Sequence, residues 1–567
     1  MRLDDSARRY AAMVSSRVLG ADLVGRTARY AVPGRLSGSE ELESVLARVG
    51  EDLRGLGMVV HEERVRVLTS RPGRALVRIG ATIYPGQSAA FAGPVAESRG
   101  AAVAAATVDH QAWPDRVVVV HGLPRPDLVA LAEASGARAL VALVGERGPC
   151  LVSVSPVWGS PTPWTVGNLP ALPVAVLSGE VALALGRLLE SAWQDGQAPV
   201  LTISAGVDTR WRDVPLVTAD LAGERDALVL AGAHADAWYE GAMDNAAGMA
   251  ALVETATAMA ASGRPTRALR LAFWPAWEDG GGGGGQAYAD SHWQELERKA
   301  SAYLEVADPG GAGNTELDRL GGTPELGFLL QNAIAEVTDE PWRPALAPAP
   351  FDRSFLGVGV ASARLGGGHG PGDLPRGPLW HGPGDRVEAL DARLLGRDAA
   401  VAAHAIAAAA AMAAEPIDAL AGARALAVAV GAWQRRLMGR LDLSGAVARS
   451  ERLVERVETL ERAGGRRTTP ARADEAAQAM RALGRLLVRL GFTSSGRFEA
   501  GSALPLEPLP TLGACESLLG SPPGSAPADL ANVAAVRART AVEVSLDEAI
   551  EAAETCLSLG RPAPARR

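Results

Sequence analysis

Between Asp226 and Leu365 the chain alternates short, nearly continuous apolar runs with longer amphipathic stretches, and this alternation restricts the fold most. LVLAGA (228–233), ALRLAF (268–273), AYLEVA (302–307) and VGVASARL (358–365) read as buried strands. Residues 245–261, 286–300 and 323–337 read as the helices between them. Strands that are apolar on both faces and joined by helices imply an α/β fold, with a largely parallel sheet covered on both sides. In such sheets binding sites form beyond the carboxyl ends of the strands, so polar residues at those ends carry the interest.

The flanking segments have other textures. Residues 40–56 form an amphipathic helix that stops at Gly57, and 58–67 is β-type. From about Pro85, short β-rich runs (VVVVHG at 117–122, ALVALVG at 139–145, LPVAVLS at 172–178) are punctuated by Pro and Gly, as in a small self-contained β-rich module. After Pro416 the pattern turns helical at 419–441, 443–463, 470–490, 527–539 and 546–559. Helices of that length require partners, so a bundle packed on the α/β domain or on a second subunit is expected.

A formal charge of −9 with no basic run or interleaved aromatic stripe argues against nucleic acid as a partner. Cys150, Cys515 and Cys556 are odd in number, widely spaced and read as buried thiols, not metal ligands or disulfides. The first residues carry acids and lack an apolar run of the signal-peptide kind. No stretch approaches the ~20 apolar residues of a membrane span, and the Ala-rich segment 398–414 reads as a packed helix. No membrane association and a cytoplasmic location are therefore expected.

His234 closes the first buried strand, with Asp236 two residues on and Asp244 before a helix. An imidazole and a carboxylate leaving one strand end are suitable zinc ligands, and Asp236 could fix a histidine tautomer. The same residues could equally form a polar loop with Asp244 as helix N-cap. Asp308 follows the AYLEVA strand, and His381 lies before a turn in PLWHGPGDRVEAL.

HADAWYEGAMDNAAG (234–248), FDRSFLGVGVAS (351–362) and WHGPGDRVEALD (380–391), in this order, are similar to motifs of the M28 peptidases, a family of co-catalytic zinc aminopeptidases. The resemblance divides the chain into an α/β peptidase-like domain (1–85 and 206–414), a β-rich protease-associated (PA) insertion (86–205) and a helical, dimerisation-like domain (415–567) that includes GRFEAGSALPLEPLP. It implies two zinc ions. His234 and Asp308 would hold one, Asp244 would bridge both, and His381 with an acid near position 278 would hold the other. It further implies peptide hydrolysis of the aminopeptidase type, peptide substrates and a homodimer through the C-terminal helices. The alternative is a catalytically inactive relative that acts as a binding or scaffold protein.

Three departures from the family pattern bear on that choice. The family's general base is the first residue of a Glu-Glu pair. Read without gaps from ALRLAF, Trp277 takes the base position and Glu278 the ligand position; read back from Tyr288, Glu278 is the base and Asp279 the ligand. Anchoring on the strand favours the first register. Counting through AYLEVA, the ligand position falls on either Ala307 or Asp308, which in extended chain point to opposite faces. Trp380 stands where the family often has tyrosine. The run Gly280–Gly285 reads as a drifted loop, and substrate preference would lie in the PA-like insertion and in loops 310–320 and 366–377.

Overall fold

The computed structural model describes residues 3–559 apart from 106–109, 146–147, 318–319, 339–351, 369–376, 438, 464–469, 495–500 and 505–506. Twelve strands share one hydrogen-bonded sheet. In chain order they are β1 (Val59–Ile79), β2 (Thr82–Ser88), β3 (Val95–Ala104), β4 (Arg116–His121), β5 (Ala139–Val144), β6 (Val174–Ser178), β7 (Val200–Leu221), β8 (Arg225–His234), β9 (Arg267–Trp274), β10 (Ala300–Val306), β11 (Gly321–Gly322) and β12 (Ser362–Leu365). The order across the sheet is β1-β2-β6-β5-β4-β3-β7-β9-β8-β10-β12-β11. Its functional centre, β9-β8-β10-β12, is parallel, as the alternating pattern requires.

The β-rich segment is joined to that centre by two long strands. β1 and β7 pair antiparallel along nearly their whole lengths, so the ladder runs without a break from one region to the other. One half of β1 pairs with β2, while the opposite half of β7 pairs with β9. The segment has hydrophobic clusters of its own around Val141 and Val174, but its sheet is shared.

Helices cover both faces of the central strands. On one side lie α1 (Asp5–Leu19), α2 (Leu23–Tyr30), α3 (Glu40–Gly55), then α6 (Ala247–Ala260), α8 (Gly327–Val337) and α9 (Ala392–Ala411). The other side carries α7 (Gly283–Lys299); α4 (Pro126–Ala134) and α5 (Gly179–Gln194) pack on the β-rich segment. In α3, Ser39 accepts the Leu42 N–H, acids fill the first turn, and Leu42, Val45, Leu46, Val49 and Leu53 form the buried stripe. Helix α9 is long and apolar enough to cross a membrane by composition, yet 94% of that window is buried inside the fold.

Helices α10 (Ala419–Leu437), α11 (Ser444–Ala463), α12 (Pro470–Phe492), α13 (Glu516–Gly520) and α14 (Ala526–Leu559) enclose a separate core that includes Trp433, Leu453, Leu487 and Val542. Two helices expected at 527–539 and 546–559 are one. No Gly or Pro interrupts 540–545, and packing against α11 and α12 carries the helix through its β-branched residues. The strand expected over 358–365 is also shorter, beginning at Ser362. Gly359 turns the chain at φ +85, and a Cβ there would meet the Arg485 carbonyl of α12 at 2.7 Å.

His404, fully buried on α9 against Ser15 of α1, gives the fold an acid weakness. Burial pushes its imidazole down from the ordinary 6.5 to about 4. The unfolded chain therefore takes up this proton first. The contribution to stability is complete above pH 6.5 and is lost as pH falls toward 4, on the order of 3 kcal/mol in all. Denaturant melts of His404→Leu should lose that part of the pH dependence; an unchanged profile would remove His404 as its source.

Candidate metal centre

The parallel strands end at a cluster built from three separate segments of chain. β8 delivers His234, and the loop behind it is pinned by Arg35, a fully buried arginine from the segment before α3. Its guanidinium donates to the carbonyls of Ala235 (2.9 Å), Gly241 (2.8 Å) and Glu240. Gly241 adopts φ +55, and a Cβ there would lie 2.5 Å from the Asp244 carbonyl. The chain then makes a π-type turn, Ala242–Ala246, in which Asp244 leaves helical geometry. Its amide and that of Met243 donate to the Asp385 carboxylate at 3.1 and 2.7 Å. Asn245 ties this turn to the end of β10, donating to the Val306 carbonyl and accepting from the Asp308 amide.

Asp244 lies between the two histidines. Its Oδ1 is 2.8 Å from Nε2 of His234 and its Oδ2 is 3.2 Å from Nε2 of His381. Glu278 reaches the same His381 nitrogen, its oxygens at 3.2 and 3.1 Å. Each imidazole is anchored on its other side, Nδ1 of His234 on the Asp236 carbonyl (3.0 Å) and Nδ1 of His381 on the Leu151 carbonyl (2.6 Å). In each case Nδ1–H donates to a backbone carbonyl, so both Nε2 atoms are directed into the cluster. All four residues are buried.

The carboxylates hold protons on both imidazoles. Burial lowers a histidine by itself, but Asp244, with Glu278 and Asp236, outweighs it and brings His234 up to about 9. The charges of Glu278 and Asp244 likewise outweigh burial at His381, pushed up to about 10. The two histidines in turn hold Asp244 well below the usual carboxylate range despite its burial.

Residues 217–406 match the sequence profile of Peptidase family M28. The chain carries an M28 peptidase domain. A protein described as a probable glutamate carboxypeptidase of Arabidopsis thaliana is 31% identical over 216 residues, 35% of this chain and 30% of the relative. The curated relatives are matched over only 21% to 30% of their own length. Among solved structures, a peptidase M28 precursor from Shewanella amazonensis SB2B superposes with TM-score 0.56 at 20% identity, over 72% of this chain and 97% of that one. An aminopeptidase from Aneurinibacillus sp. strain AM-1 gives 0.53 at 17% identity, over 71% and 96%. At such identities these two structures establish the fold of the M28 domain and nothing finer.

Within the M28 domain, the segment after β9 is ordered by Asp236. Its carboxylate accepts the amides of Trp277 (3.0 Å) and Glu278 (2.9 Å), with that of Asp279 at 3.5 Å. The residue expected to orient a histidine through its side chain does so through its backbone carbonyl, and uses the side chain to hold the Glu278 loop. Asp279 faces away, accepting the Ser37 amide at 3.1 Å. The Trp277 indole stacks on the His234 ring, 5.5 Å between centroids and 12° between planes, with Trp158 against its edge. The glycines of Gly280–Gly285 are closely packed: a Cβ on Gly284 would lie 2.2 Å from the Pro275 carbonyl, and one on Gly282 would meet Trp158 at 2.8 Å.

Four of the five ligands expected of the M28 domain are brought together, and Asp308 is not among them. Asp308 is fully buried at φ +57, and its carboxylate accepts from the guanidinium of Arg364 on β12. Arg364 also donates to Glu305 at 3.2 Å. Arg35, Asp385, Glu305 and Arg364 were not picked out by sequence reasoning. The signal for the last two was present: a charged residue in the middle of each of two apolar strand runs. Trp380 stacks on His381 at 3.5 Å. Phe351, residues 318–319 and 369–376 of the expected specificity loops and 496–500 and 505–506 of the C-terminal motif lie outside the described residues.

Whether zinc fits can be judged from the donors. Candidate atoms of His234, Asp244 and Glu278 all lie within 4.8 Å of one another. Ligands at ~2.0–2.2 Å from a tetrahedral zinc are roughly 3.3–3.6 Å apart, so a small contraction suffices. Imidazole nitrogens with carboxylate oxygens are an ordinary zinc donor set. The cluster of His234, Asp244 and Glu278, with His381 at 3.2 Å from Asp244 and 3.1 Å from Glu278, therefore fits an ion. The half that would need Asp308 does not, because one oxygen of that carboxylate accepts from Arg364 and the buried guanidinium already supplies a positive charge beside it.

Proposed function

We propose that this chain is an M28-type protein that holds zinc through His234, Asp244, Glu278 and His381 but does not hydrolyse peptides, acting as a binding protein. The observation that carries the reading is Trp277 stacked on His234, in the gapless register where the family's proton acceptor belongs. A bound zinc would polarise a carbonyl oxygen or a water at this site. Hydrolysis also needs a group that takes a proton from water and returns it to the leaving amine, and an indole N–H only donates. Glu278 is turned to His381, while Asp236, Asp279 and Asp385 accept backbone amides. None of these carboxylates is placed as a substitute base.

A second reading, peptide hydrolysis by a zinc pair, is favoured by Asp244, whose two oxygens face different histidines as a bridging carboxylate would. The first reading takes peptides as ligands and includes a homodimer through residues 415–567. The latter is supported by Leu530 and Val533, 76% and 51% exposed on adjacent turns of α14. The deciding experiment incubates the zinc-loaded full chain with a panel of aminoacyl arylamides and unblocked peptides. The expected result is no product above the buffer control. Turnover that is lost on chelation and restored by zinc would establish the second reading.

A further inference from the structure

Resting on the reading that the cluster holds zinc, we infer that the guanidinium of Arg364 is a built-in cation in place of a second metal ion, so that the site takes one ion and not two. Arg364 and Glu305 face each other in register across β12 and β10. From there the Arg364 side chain passes along the sheet to Asp308, just beyond the end of β10, and donates to both carboxylates. All three residues are buried, Arg364 with 2% of its surface exposed.

The position of Asp308 makes this pairing consequential. Its amide is held by Asn245, the neighbour of Asp244, so Asp308 sits where a carboxylate could be shared with the cluster. One oxygen of the carboxylate is given instead to an arginine, whose charge is permanent and whose two terminal nitrogens are divided between Asp308 and Glu305. An oxygen that accepts from a guanidinium cannot also coordinate an ion along the same lone pair. The fixed positive charge in this buried setting also repels a second divalent cation.

The test is zinc stoichiometry, by elemental mass spectrometry after dialysis of the full chain against one fixed free-zinc concentration. Wild type is expected to hold about one zinc per chain. Arg364→Gln, which removes the cation and frees Asp308, is expected to hold about two. Asp308→Asn keeps an acceptor for Arg364, guards against misfolding of the first variant, and is expected to stay at one. Two zinc ions in wild type, one in a folded Arg364→Gln, or a loss in Asp308→Asn would each overturn the inference. A wild-type value of two leaves the zinc-binding reading standing, whereas no zinc in wild type removes that reading as well.

Discussion

Asp244→Ala will fold and lose stoichiometric zinc. Its carboxylate touches both histidines, at 2.8 Å from His234 and 3.2 Å from His381. Loss of a group that merely supports a ligand already lowers metal affinity about 10- to 100-fold, so removal of the shared ligand should exceed about 100-fold. The fold should survive, because the turn is held by Asp385 on the Met243 and Asp244 amides and by Asn245 on Val306. Without the carboxylate, His234 also loses the main anion that kept it protonated and His381 one of two, which eases their burial. Competition with a chromogenic chelator reads the affinity, and circular dichroism the fold. Retention of tight zinc by a folded variant would contradict the central position of Asp244.

The largest effect on stability is expected at Arg267, far from the cluster. This fully buried arginine opens β9 and donates to the carbonyls of Met412 and Ala414, both at 2.6 Å, and of Ala409 at 3.3 Å. It also pairs with Glu415 at 3.3 Å, at the point where the α/β domain gives way to the C-terminal helices. Arg267→Ala leaves those carbonyls without this donor and removes one of two cations from a buried glutamate, the other being Arg481. A loss of about 3–5 kcal/mol is expected. Arg267→Lys should recover only part of it, since one ammonium cannot reproduce the fork. Chemical denaturation checks both, and a loss below about 1 kcal/mol for the alanine variant would show that the end of α9 has other support.

Much of this architecture could be read from the residues. The apolar runs around Leu230, Leu271 and Leu304 gave the parallel centre of the sheet, because strands buried on both faces leave no room for polar alternation. His234 and Asp244 stood out as polar residues at the carboxyl end of such a run. Other features depend on contacts distant in sequence. Asp236 accepts amides more than forty residues away, which is what turns Glu278 to His381 and Asp279 to Ser37. The Arg364–Asp308 pair requires knowing that β12 lies beside β10. The shared sheet follows from the lengths of β1 and β7, whose mixed polar and apolar residues conceal two strands of 21 and 22 residues.

On the proposed reading, the M28 domain keeps one metal half-site, has a guanidinium in place of the other, and has an indole where a base would be. A crystal structure of the zinc-soaked protein, with anomalous differences recorded at the zinc edge, tests this most directly. One peak is expected, among His234, Asp244, Glu278 and His381, with Trp277 still stacked on His234 and Asp308 still paired with Arg364. Two peaks bridged by Asp244, with Asp308 turned onto the second and Trp277 displaced, would contradict it.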